Sequence, residues 1–448
     1  MKIAFLTLGC KVNSYETEKM KRQFEDAGHQ IVSFSEQADV YVVNTCTVTN
    51  IADRKSRKML HRARRLNPEA VVVAAGCYVD SARQKGEKDE SVDVFLSNQE
   101  KENMVALLEN ILQERGGLSD NQKTEDWISP AAASQEHTRA YIKVQNGCNQ
   151  YCSYCIIPYV RGELFSRPDD EILQEIQQMA DQGYHEVVVT GIHLSSFGVD
   201  RLQDKPDANS FLKLGGEPLL GLLRKISSIE GIERIRLGSL EPRIITEEFA
   251  EKLSEIPGIC PHFHLSLQSG CDATLKRMNR HYTSGEYLNK VELLRKYFVH
   301  PAITTDIIVG FPQETEEEFA VTCDFAKKAG FAQIHVFKYS RRQGTQADKM
   351  DGQIAEPVKA DRSDVLLAIE RGLEKEYQKY FLGRVEDVLF EEITEVQGEE
   401  YLVGYNERYV RIAVPAKVVL QAENQCNRII PVRIVGHLQE EILLAEWK

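Results

Sequence analysis

Short apolar runs alternate with amphipathic stretches along the first 112 residues of the chain. Continuous apolar runs of five or six residues, separated by stretches with a helical period, are typical of parallel strands that are covered on both faces. The pattern therefore predicts a doubly wound α/β domain over residues 1–112. Its predicted strands are residues 3–8, 40–44, 71–75 and 92–96.

The same alternation restarts after a polar stretch at residues 113–136, which is predicted to be a linker. Over residues 137–372, six apolar runs are each followed by a helical stretch. Six such units favour a partial (β/α)6 barrel. The predicted strands of this barrel are residues 140–144, 186–190, 234–237, 262–267, 303–309 and 333–337.

The pattern changes again at residues 375–448. A charged helix ends near residue 381, and short apolar segments separated by turn residues follow it, almost without helical period. Five short strands in a stretch of this length suggest a small closed β-barrel of the OB-like type. The chain is thus predicted to be an α/β protein with a parallel sheet, a partial barrel and a small β-barrel, in that order.

The distribution of charge adds one prediction, a basic stretch at residues 53–65 within an otherwise acidic chain. The chain carries 55 basic and 68 acidic residues, a net charge of −13, which argues against a uniformly basic nucleic-acid coat. Residues 53–65 nevertheless hold seven Lys or Arg in thirteen positions. On a helix, Arg54, Lys58, Arg62 and Arg65 share one face, so they are predicted to contact RNA. The alternative is an ordinary solvated face.

The lengths of the apolar runs and the number of cysteines predict where in the cell the protein is found. No apolar run reaches the ~18 residues of a membrane-spanning helix, and residues 3–8 are shorter than the ~7–15 residues of a signal-peptide core. A cytoplasmic protein with no membrane partner is therefore expected. Ten cysteines in 448 residues are too few for a disulfide scaffold, and in a reducing compartment such thiols favour metal or redox chemistry.

Three cysteines form a C-x3-C-x2-C motif directly after the first predicted barrel strand. Cys148, Cys152 and Cys155 can bind three irons of a [4Fe–4S] cluster and leave the fourth iron open. A structural zinc site is the alternative, although it usually takes four protein ligands, and three unreactive thiols are another. The motif lies at the carboxyl end of a barrel strand, where barrel enzymes build their active sites.

Three further cysteines each follow a predicted strand of the first domain by one or two residues. Because the carboxyl ends of parallel strands open on one side of a sheet, Cys10, Cys46 and Cys77 are predicted to converge on one crevice. This arrangement indicates a second three-cysteine cluster with a free iron, whereas the alternative is a coincidence among partly buried thiols. The remaining four cysteines show no such spacing.

The cysteine sets, the barrel and the small β-domain together resemble the radical S-adenosylmethionine methylthiotransferases. Tyr154, just before the third cysteine, matches the aromatic position of the superfamily motif. The resemblance covers the whole chain, as an N-terminal methylthiotransferase domain, a radical S-adenosylmethionine domain at 137–372 and a TRAM-like RNA-binding domain at 375–448. The matching segments are LGCKVN (8–13), NTCTVTN (44–50), GCY (76–78), GCNQYCSYC (147–155), SLEP (239–242), LSLQSG (265–270), RMNR (277–280), VGFPQET (309–315) and YSRRQGT (339–345).

The resemblance implies a chemistry and a set of cofactors. In this superfamily S-adenosylmethionine chelates the open iron, and an electron from the cluster cleaves it to give a 5′-deoxyadenosyl radical. The methylthiotransferases use this radical to replace a C–H bond with C–SCH3, and a second cluster handles sulfur. The expected cofactors are therefore two [4Fe–4S] clusters and S-adenosylmethionine, and the expected partners include a one-electron reductant and a sulfur donor.

The segment GCKVN is similar to one branch of this family. That branch methylthiolates C2 of N6-threonylcarbamoyladenosine at position 37 of tRNA, so a tRNA carrying this nucleoside is the expected substrate. Action on isopentenyladenosine in tRNA or on a ribosomal protein side chain stays open. A non-catalytic zinc-containing RNA-binding protein is the alternative from another class.

The resemblance also implies which residues surround S-adenosylmethionine. They lie in loops at the carboxyl ends of the barrel strands, where a glycine lets the backbone approach a ligand closely. We predict no acid–base residue, because an unactivated aromatic C–H offers no acidic proton. The predicted cofactor-binding residues are Tyr154, Gly191, Ser239, Glu241 and Gly310.

Overall fold

The computed structural model describes residues 1–86, 88–114, 138–204 and 206–447. It divides into two compact units. The first contains the described residues before 137 together with residues 155–162 and 340–343, and the second contains the remainder. The expected linker at 113–136 lies outside the described residues, except for positions 113 and 114 at the end of a helix.

A five-stranded parallel sheet forms the centre of the first unit, in the order β2-β1-β3-β4-β5. Four of these strands agree with the predicted apolar runs. The additional strand, β2, is only three residues long and lies at the sheet edge, where a short segment needs little apolar content. The strands are β1 (Lys2–Thr7), β2 (Gln30–Val32), β3 (Val40–Thr45), β4 (Val71–Gly76) and β5 (Val94–Leu96).

Helices cover both faces of this sheet, which confirms the doubly wound prediction. Helices α2 and α3 pack through Leu60 and Val79 on one face, and α1 and α4 pack through Phe24 and Leu108 on the other. The strands are apolar on both sides because both sides are covered. The helices of this unit are α1 (Lys11–Asp26), α2 (Asn50–Leu66), α3 (Cys77–Lys85), α4 (Met104–Glu114) and the short α5 (Ile157–Val160).

Six parallel strands in the second unit form the predicted partial barrel. Three of them, with a short antiparallel edge strand, make a sheet in the order β7-β6-β8-β9, and the others make a sheet in the order β10-β11-β12. Single bridges, such as Leu240 to Leu265, link the two sheets. The strands are β6 (Arg139–Asn146), β7 (Phe165–Ser166), β8 (Glu186–Gly191), β9 (Arg234–Leu237), β10 (His262–His264), β11 (Ala302–Val309) and β12 (Gln333–Lys338).

The helices between these strands bury one large apolar core against the sheets. Two of them, α11 and α12, begin with a capping box, in which a threonine and a glutamate three residues later satisfy each other's backbone N–H groups. The helices are α6 (Asp169–Asp181), α7 (Ser210–Lys213), α8 (Glu217–Ile226), α9 (Glu247–Ser254), α10 (Asp272–Arg277), α11 (Ser284–Tyr297), α12 (Glu316–Ala329) and α13 (Glu356–Gln378).

The last strands of the second unit close into a small barrel in the order β13-β14-β15-β17-β16. This confirms the predicted fold class, from parallel sheet to partial barrel to β-barrel. Within the described ranges, no helix is long and apolar enough to cross a membrane. The barrel strands are β13 (Val385–Val396), β14 (Glu399–Tyr405), β15 (Arg411–Pro415), β16 (Ile429–Gln439) and β17 (Ile442–Trp447).

Candidate cysteine centres

Three cysteines of the first unit lie at the carboxyl ends of adjacent strands. Cys46 directly follows β3, Cys77 directly follows β4, and Cys10 lies between β1 and α1. The pKa of Cys46 is raised to about 11, first by burial and then by the nearby Cys77 and Cys10. The structure thus brings together the three thiols that the sequence predicts to converge, and we refer to them as the Cys10 centre.

Backbone conformation sets the spacing within the Cys10 centre. Gly9 has a φ of +109°, a region that residues with a side chain rarely adopt. A Cβ atom at this position would lie 2.8 Å from the Cys46 Cβ and 2.9 Å from its Sγ. Any other residue at Gly9 would therefore have to displace the Cys46 thiol.

A buried network of charges lies beside the Cys10 centre. Arg161 Nη1 and Lys101 Nζ each lie 2.6 Å from a carboxylate oxygen of Glu16, and all three side chains are less than 10% exposed. Burial alone would lower the pKa of Arg161, but Cys77, Glu16 and Cys10 raise it above its ordinary value. The network therefore supplies a permanent positive charge next to the thiols.

At least two of the thiols of the Cys10 centre lie farther apart than the ligands of a single zinc ion. Thiolates around one zinc lie about 3.8 Å apart, since Zn–S bonds measure ~2.3 Å in a tetrahedral site. Among the described residues, the one group with three ligand atoms within 4.8 Å of one another contains no cysteine. The Arg161 Nε is buried without a hydrogen-bond partner, as expected for a donor facing an anionic group.

The C-x3-C-x2-C motif occupies the loop between β6 and α5. Burial raises the pKa of Cys148 to about 12. Cys152 Sγ accepts a hydrogen bond of 3.2 Å from Arg280 Nη1. Cys148 and Cys152 belong to the second unit, which contains the barrel strands, whereas Cys155 belongs to the first unit. A guanidinium donor at the second thiol suits a thiolate that binds a metal cluster.

The segment RMNR holds this loop through its backbone. Ser153 donates from its backbone N–H to the Met278 carbonyl at 3.0 Å and from its hydroxyl to the Arg277 carbonyl at 2.8 Å. The Asn279 side chain donates to the Tyr151 carbonyl at 3.0 Å. A motif far along the chain thus fixes the conformation of the cysteine loop.

Two of the predicted S-adenosylmethionine residues lie close to Arg280. Tyr154 packs against an apolar cluster that includes Met278. Glu241 is buried, and its carboxylate accepts two hydrogen bonds of 2.7 Å from the Arg243 backbone and guanidinium. Both Tyr154 and Glu241 interact electrostatically with Arg280. Both residues therefore lie near the guanidinium that contacts Cys152, and their contact with the cofactor stays a prediction.

The three other predicted residues differ in their surroundings. A Cβ atom at Gly191 would lie 3.0 Å from the Gln145 side chain, so close packing of β8 against β6 requires a glycine there. Gly310 has a φ of +71° and packs against the Lys359 side chain. Ser239 is exposed. The two glycines thus have a packing role, and cofactor binding by all three stays a prediction.

The predicted basic face on α2 is exposed. Arg54, Lys58, Arg62 and Arg65 all point to solvent, and none of them forms an ion pair with the residues that the structure describes. On the opposite side of the helix, Leu60 and other apolar residues pack on the sheet. The helix therefore presents four unneutralised cations.

Arg161, Glu16 and Lys101 were not predicted from the sequence to form a site. The partners of these two ion pairs are separated by 85 and by 145 positions in the sequence, so they leave no local spacing pattern. Arg280, by contrast, lies in the matching segment RMNR, and its contact with Cys152 could be sought there.

Two family descriptions match the chain. Residues 142–326 match the radical SAM superfamily, and residues 2–97 match an uncharacterized protein family, UPF0004. A radical SAM domain implies a [4Fe–4S] cluster and S-adenosylmethionine as cofactors.

Curated relatives match nearly the whole chain. The threonylcarbamoyladenosine tRNA methylthiotransferase MtaB of Bacillus subtilis is 39% identical over 438 residues, which cover 97% of this chain and 93% of that protein. The MtaB protein of Aquifex aeolicus is 35% identical, and the match covers 94% of this chain and 100% of that protein. The tRNA-2-methylthio-N(6)-dimethylallyladenosine synthase of Methylacidiphilum infernorum is 32% identical, and the match covers 92% of this chain and 91% of that protein.

Solved structures support the fold. The radical S-adenosylmethionine methyltransferase TsrM of Kitasatospora setae, with tryptophan substrate and an S-adenosylmethionine analogue bound, has a TM-score of 0.53 at 15% identity and covers 83% of this chain and 89% of that one. Such a likeness concerns the fold alone. The identities over nearly full length decide the family, and this chain belongs to the radical S-adenosylmethionine methylthiotransferases and is an enzyme of that class.

Proposed function

We propose that this enzyme methylthiolates C2 of N6-threonylcarbamoyladenosine at position 37 of tRNA. The observation that carries the proposal is the 39% identity, over 97% of the chain, to a relative named for that substrate. The segment GCKVN at Cys10 supports the same branch. A tRNA substrate also agrees with the proposed location of the enzyme in the cytoplasm.

The proposed roles of the cysteines follow from the family to which the chain belongs. Cys148, Cys152 and Cys155 would hold the cluster that, with S-adenosylmethionine bound, supplies a radical able to react at an aromatic C–H bond. The Cys10 centre would hold the second cluster and accept sulfur from a donor, and a separate one-electron reductant is needed. The proposed cofactor-binding residues are Tyr154, Gly191, Ser239, Glu241 and Gly310.

The chain's own charges would serve binding and charge balance. Arg161 would offset the negative charge of an iron–sulfur cluster at the Cys10 centre, since a buried anionic group requires a partner. The exposed cations of α2 would bind the tRNA backbone. The β-barrel is a weaker candidate for RNA contact, because Arg408, Arg411 and Lys417 are engaged by acceptors of the second unit.

Mass spectrometry of tRNA nucleosides tests the substrate. A strain that lacks this gene should lose 2-methylthio-N6-threonylcarbamoyladenosine and accumulate the nucleoside without the methylthio group. The isopentenyladenosine-derived nucleoside should not change and serves as the internal control. An unchanged level of the threonylcarbamoyl product would refute the proposed substrate.

The remaining alternatives within the family need a second measurement. Purified enzyme is incubated with two anticodon stem-loops of identical sequence that carry either threonylcarbamoyladenosine or isopentenyladenosine. Only the first should gain the mass of a methylthio group. Peptide mass analysis of ribosomal proteins from the deletion strain should show no lost methylthio group, and a loss there would support the protein substrate.

Metal analysis separates the enzyme from a zinc-containing RNA-binding protein. Anaerobically prepared protein should contain about eight iron and about eight sulfide ions per chain if both centres hold [4Fe–4S] clusters. Replacing all three cysteines of either centre by Ala should halve both values. Zinc without sulfide would exclude the radical mechanism.

A further inference from the structure

Three side chains on neighbouring strands of the partial barrel form a compact group that contains no cysteine. His264 lies on β10, Asp306 on β11 and His335 on β12, and one ligand atom from each lies within 4.8 Å of the other two. His264 Nε2 is 3.3 Å from Asp306 Oδ2. The two imidazole rings are stacked, with centroids 5.7 Å apart. We call this group the His264 triad.

Strand register explains why these residues meet. His264 pairs with Thr304 on β11, and Asp306 pairs with His335 on β12. Because side chains alternate between the faces of a strand, Thr304 and Asp306 share one face. The triad therefore forms on a single face across three strands.

The opposite face of these strands is the apolar core. Phe263, Leu265, Ile303 and Ile334 alternate with the triad residues and are buried in that core. The triad thus lies on the polar face of the sheet. The side chains of His264 and Asp306 are 12% and 29% exposed, so an ion from solvent can reach them.

The orientation of the His264 ring is compatible with a metal site. The His264 Nδ1 lies 3.0 Å from Thr304 Oγ1. This contact orients the ring so that Nε2 faces Asp306, in the way that metal-bound histidines are held through their second nitrogen. A metal ion would be ligated by all three side chains, including His335, whose ring stacks on His264.

We propose that His264, Asp306 and His335 bind a divalent transition-metal ion. Two imidazole nitrogens and one carboxylate oxygen on one side of an ion leave further coordination positions for water or an oxygen-bearing ligand, and such sets take Fe²⁺, Mn²⁺, Co²⁺ or Zn²⁺. The site is separate from both cysteine centres in its ligands and does not depend on the substrate proposed above.

Binding of Mn²⁺ to the holoenzyme tests this proposal. Mn²⁺ prefers nitrogen and oxygen ligands to thiolates, so it reports the triad while iron–sulfur clusters occupy the cysteines. The oxidised clusters are diamagnetic and do not hide its electron paramagnetic resonance signal. We expect one Mn²⁺ to bind per chain, with hyperfine couplings from two imidazole nitrogens.

Variants identify the ligands. Asp306→Asn and His335→Gln should each weaken Mn²⁺ binding by more than about tenfold, and Thr304→Val by about tenfold through loss of ring orientation. His437→Gln, an exposed histidine on β16, is the matched control and should bind as the unmodified chain does. Circular dichroism spectra should show that every variant is folded. Absence of bound Mn²⁺, or equal binding by the triad variants and the control, would refute the proposal.

Discussion

Gly9 is the residue on which the spacing of the Cys10 centre depends most directly. Its backbone approaches Cys46 so closely that a side chain has no space, and its φ of +109° is itself unfavourable for other residues. These two effects can be separated, because Gly28 also has a positive φ, +81°, but has nothing within 4 Å of an added Cβ atom.

We predict that Gly9→Ala loses the cluster of the Cys10 centre while the other remains. Iron should fall from about eight to about four per chain, because displacement of the Cys46 thiol removes one of three ligands. Gly28→Ala carries the backbone strain alone, about 1 kcal/mol, and should keep its iron. Equal iron contents in the two variants would show that the contact with Cys46 is unimportant.

Arg161 sets the charge of the same centre. We predict that Arg161→Gln makes the midpoint potential of its cluster about 60 mV more negative, which corresponds to about 1.4 kcal/mol for one electron. The physical reason is that a buried positive charge stabilises the more negative reduced state. A redox titration followed by electron paramagnetic resonance measures it, on a full-length background with Cys148, Cys152 and Cys155 replaced by Ala.

Arg161→Lys is the matched variant for this experiment. It keeps the positive charge beside Glu16 but not the guanidinium geometry, and it should restore most of the potential. A potential that is the same in the Gln variant and in the unmodified chain would mean that Arg161 acts only through Glu16 in folding.

At the scale of elements, α2 combines a buried apolar face with an exposed basic one. The helix begins at Asn50, and Thr49 caps it by accepting a hydrogen bond from the Ala52 N–H. Its apolar side packs on the sheet, so the exposed face is oriented by the fold. The sequence predicted this face correctly, because helical periodicity depends only on local spacing.

We predict that replacing the four exposed cations of α2 by Gln weakens tRNA binding by about 10- to 100-fold at 0.1 M salt and flattens its salt dependence. Fluorescence anisotropy at several salt concentrations measures both. A control variant that removes four exposed cations elsewhere should keep the affinity within about twofold; equal losses would indicate a general charge effect. The tested residues are Arg54, Lys58, Arg62 and Arg65, and the controls are Lys213, Arg224, Lys328 and Arg371.

Helix α13 carries an acid in an unfavourable position. Burial, followed by the charges of Glu370 and Glu441, raises the pKa of Glu374 to about 7. The folded state then holds a proton that the unfolded chain releases near its ordinary pKa. Glu374 therefore stabilises the fold below about pH 4.5, and this contribution is lost as the pH rises to about 7.

We predict that Glu374→Gln raises the free energy of unfolding at pH 8 by about 1 kcal/mol, a value reduced for partial solvent exposure. At pH 5 the variant and the unmodified chain should unfold at nearly the same temperature. Thermal unfolding at the two pH values checks this. An equal change in the unfolding temperature at both pH values would contradict the explanation.

At the scale of the whole molecule, sequence periodicity was sufficient to predict the fold class. It was not sufficient to predict which distant side chains lie close together in the folded protein. Apart from the short edge strands β2 and β7, the strands of both sheet systems could be predicted because each is a local apolar run. The convergence of Cys10, Cys46 and Cys77 could be predicted because each follows a strand of one parallel sheet. The His264 triad could not, because it depends on the register of β10, β11 and β12.

The first unit contains residues 155–162 and 340–343 in addition to the start of the chain. A fragment that ends at residue 136 would lack Arg161, one of the two cations that pair with the buried Glu16 carboxylate, and its loss should destabilise the fragment. The first unit therefore does not correspond to a single contiguous stretch of the sequence. A fragment that keeps the pair between Arg161 and Glu16 must also supply residues 155–162, so a chain cut before residue 137 should fail to assemble the Cys10 centre.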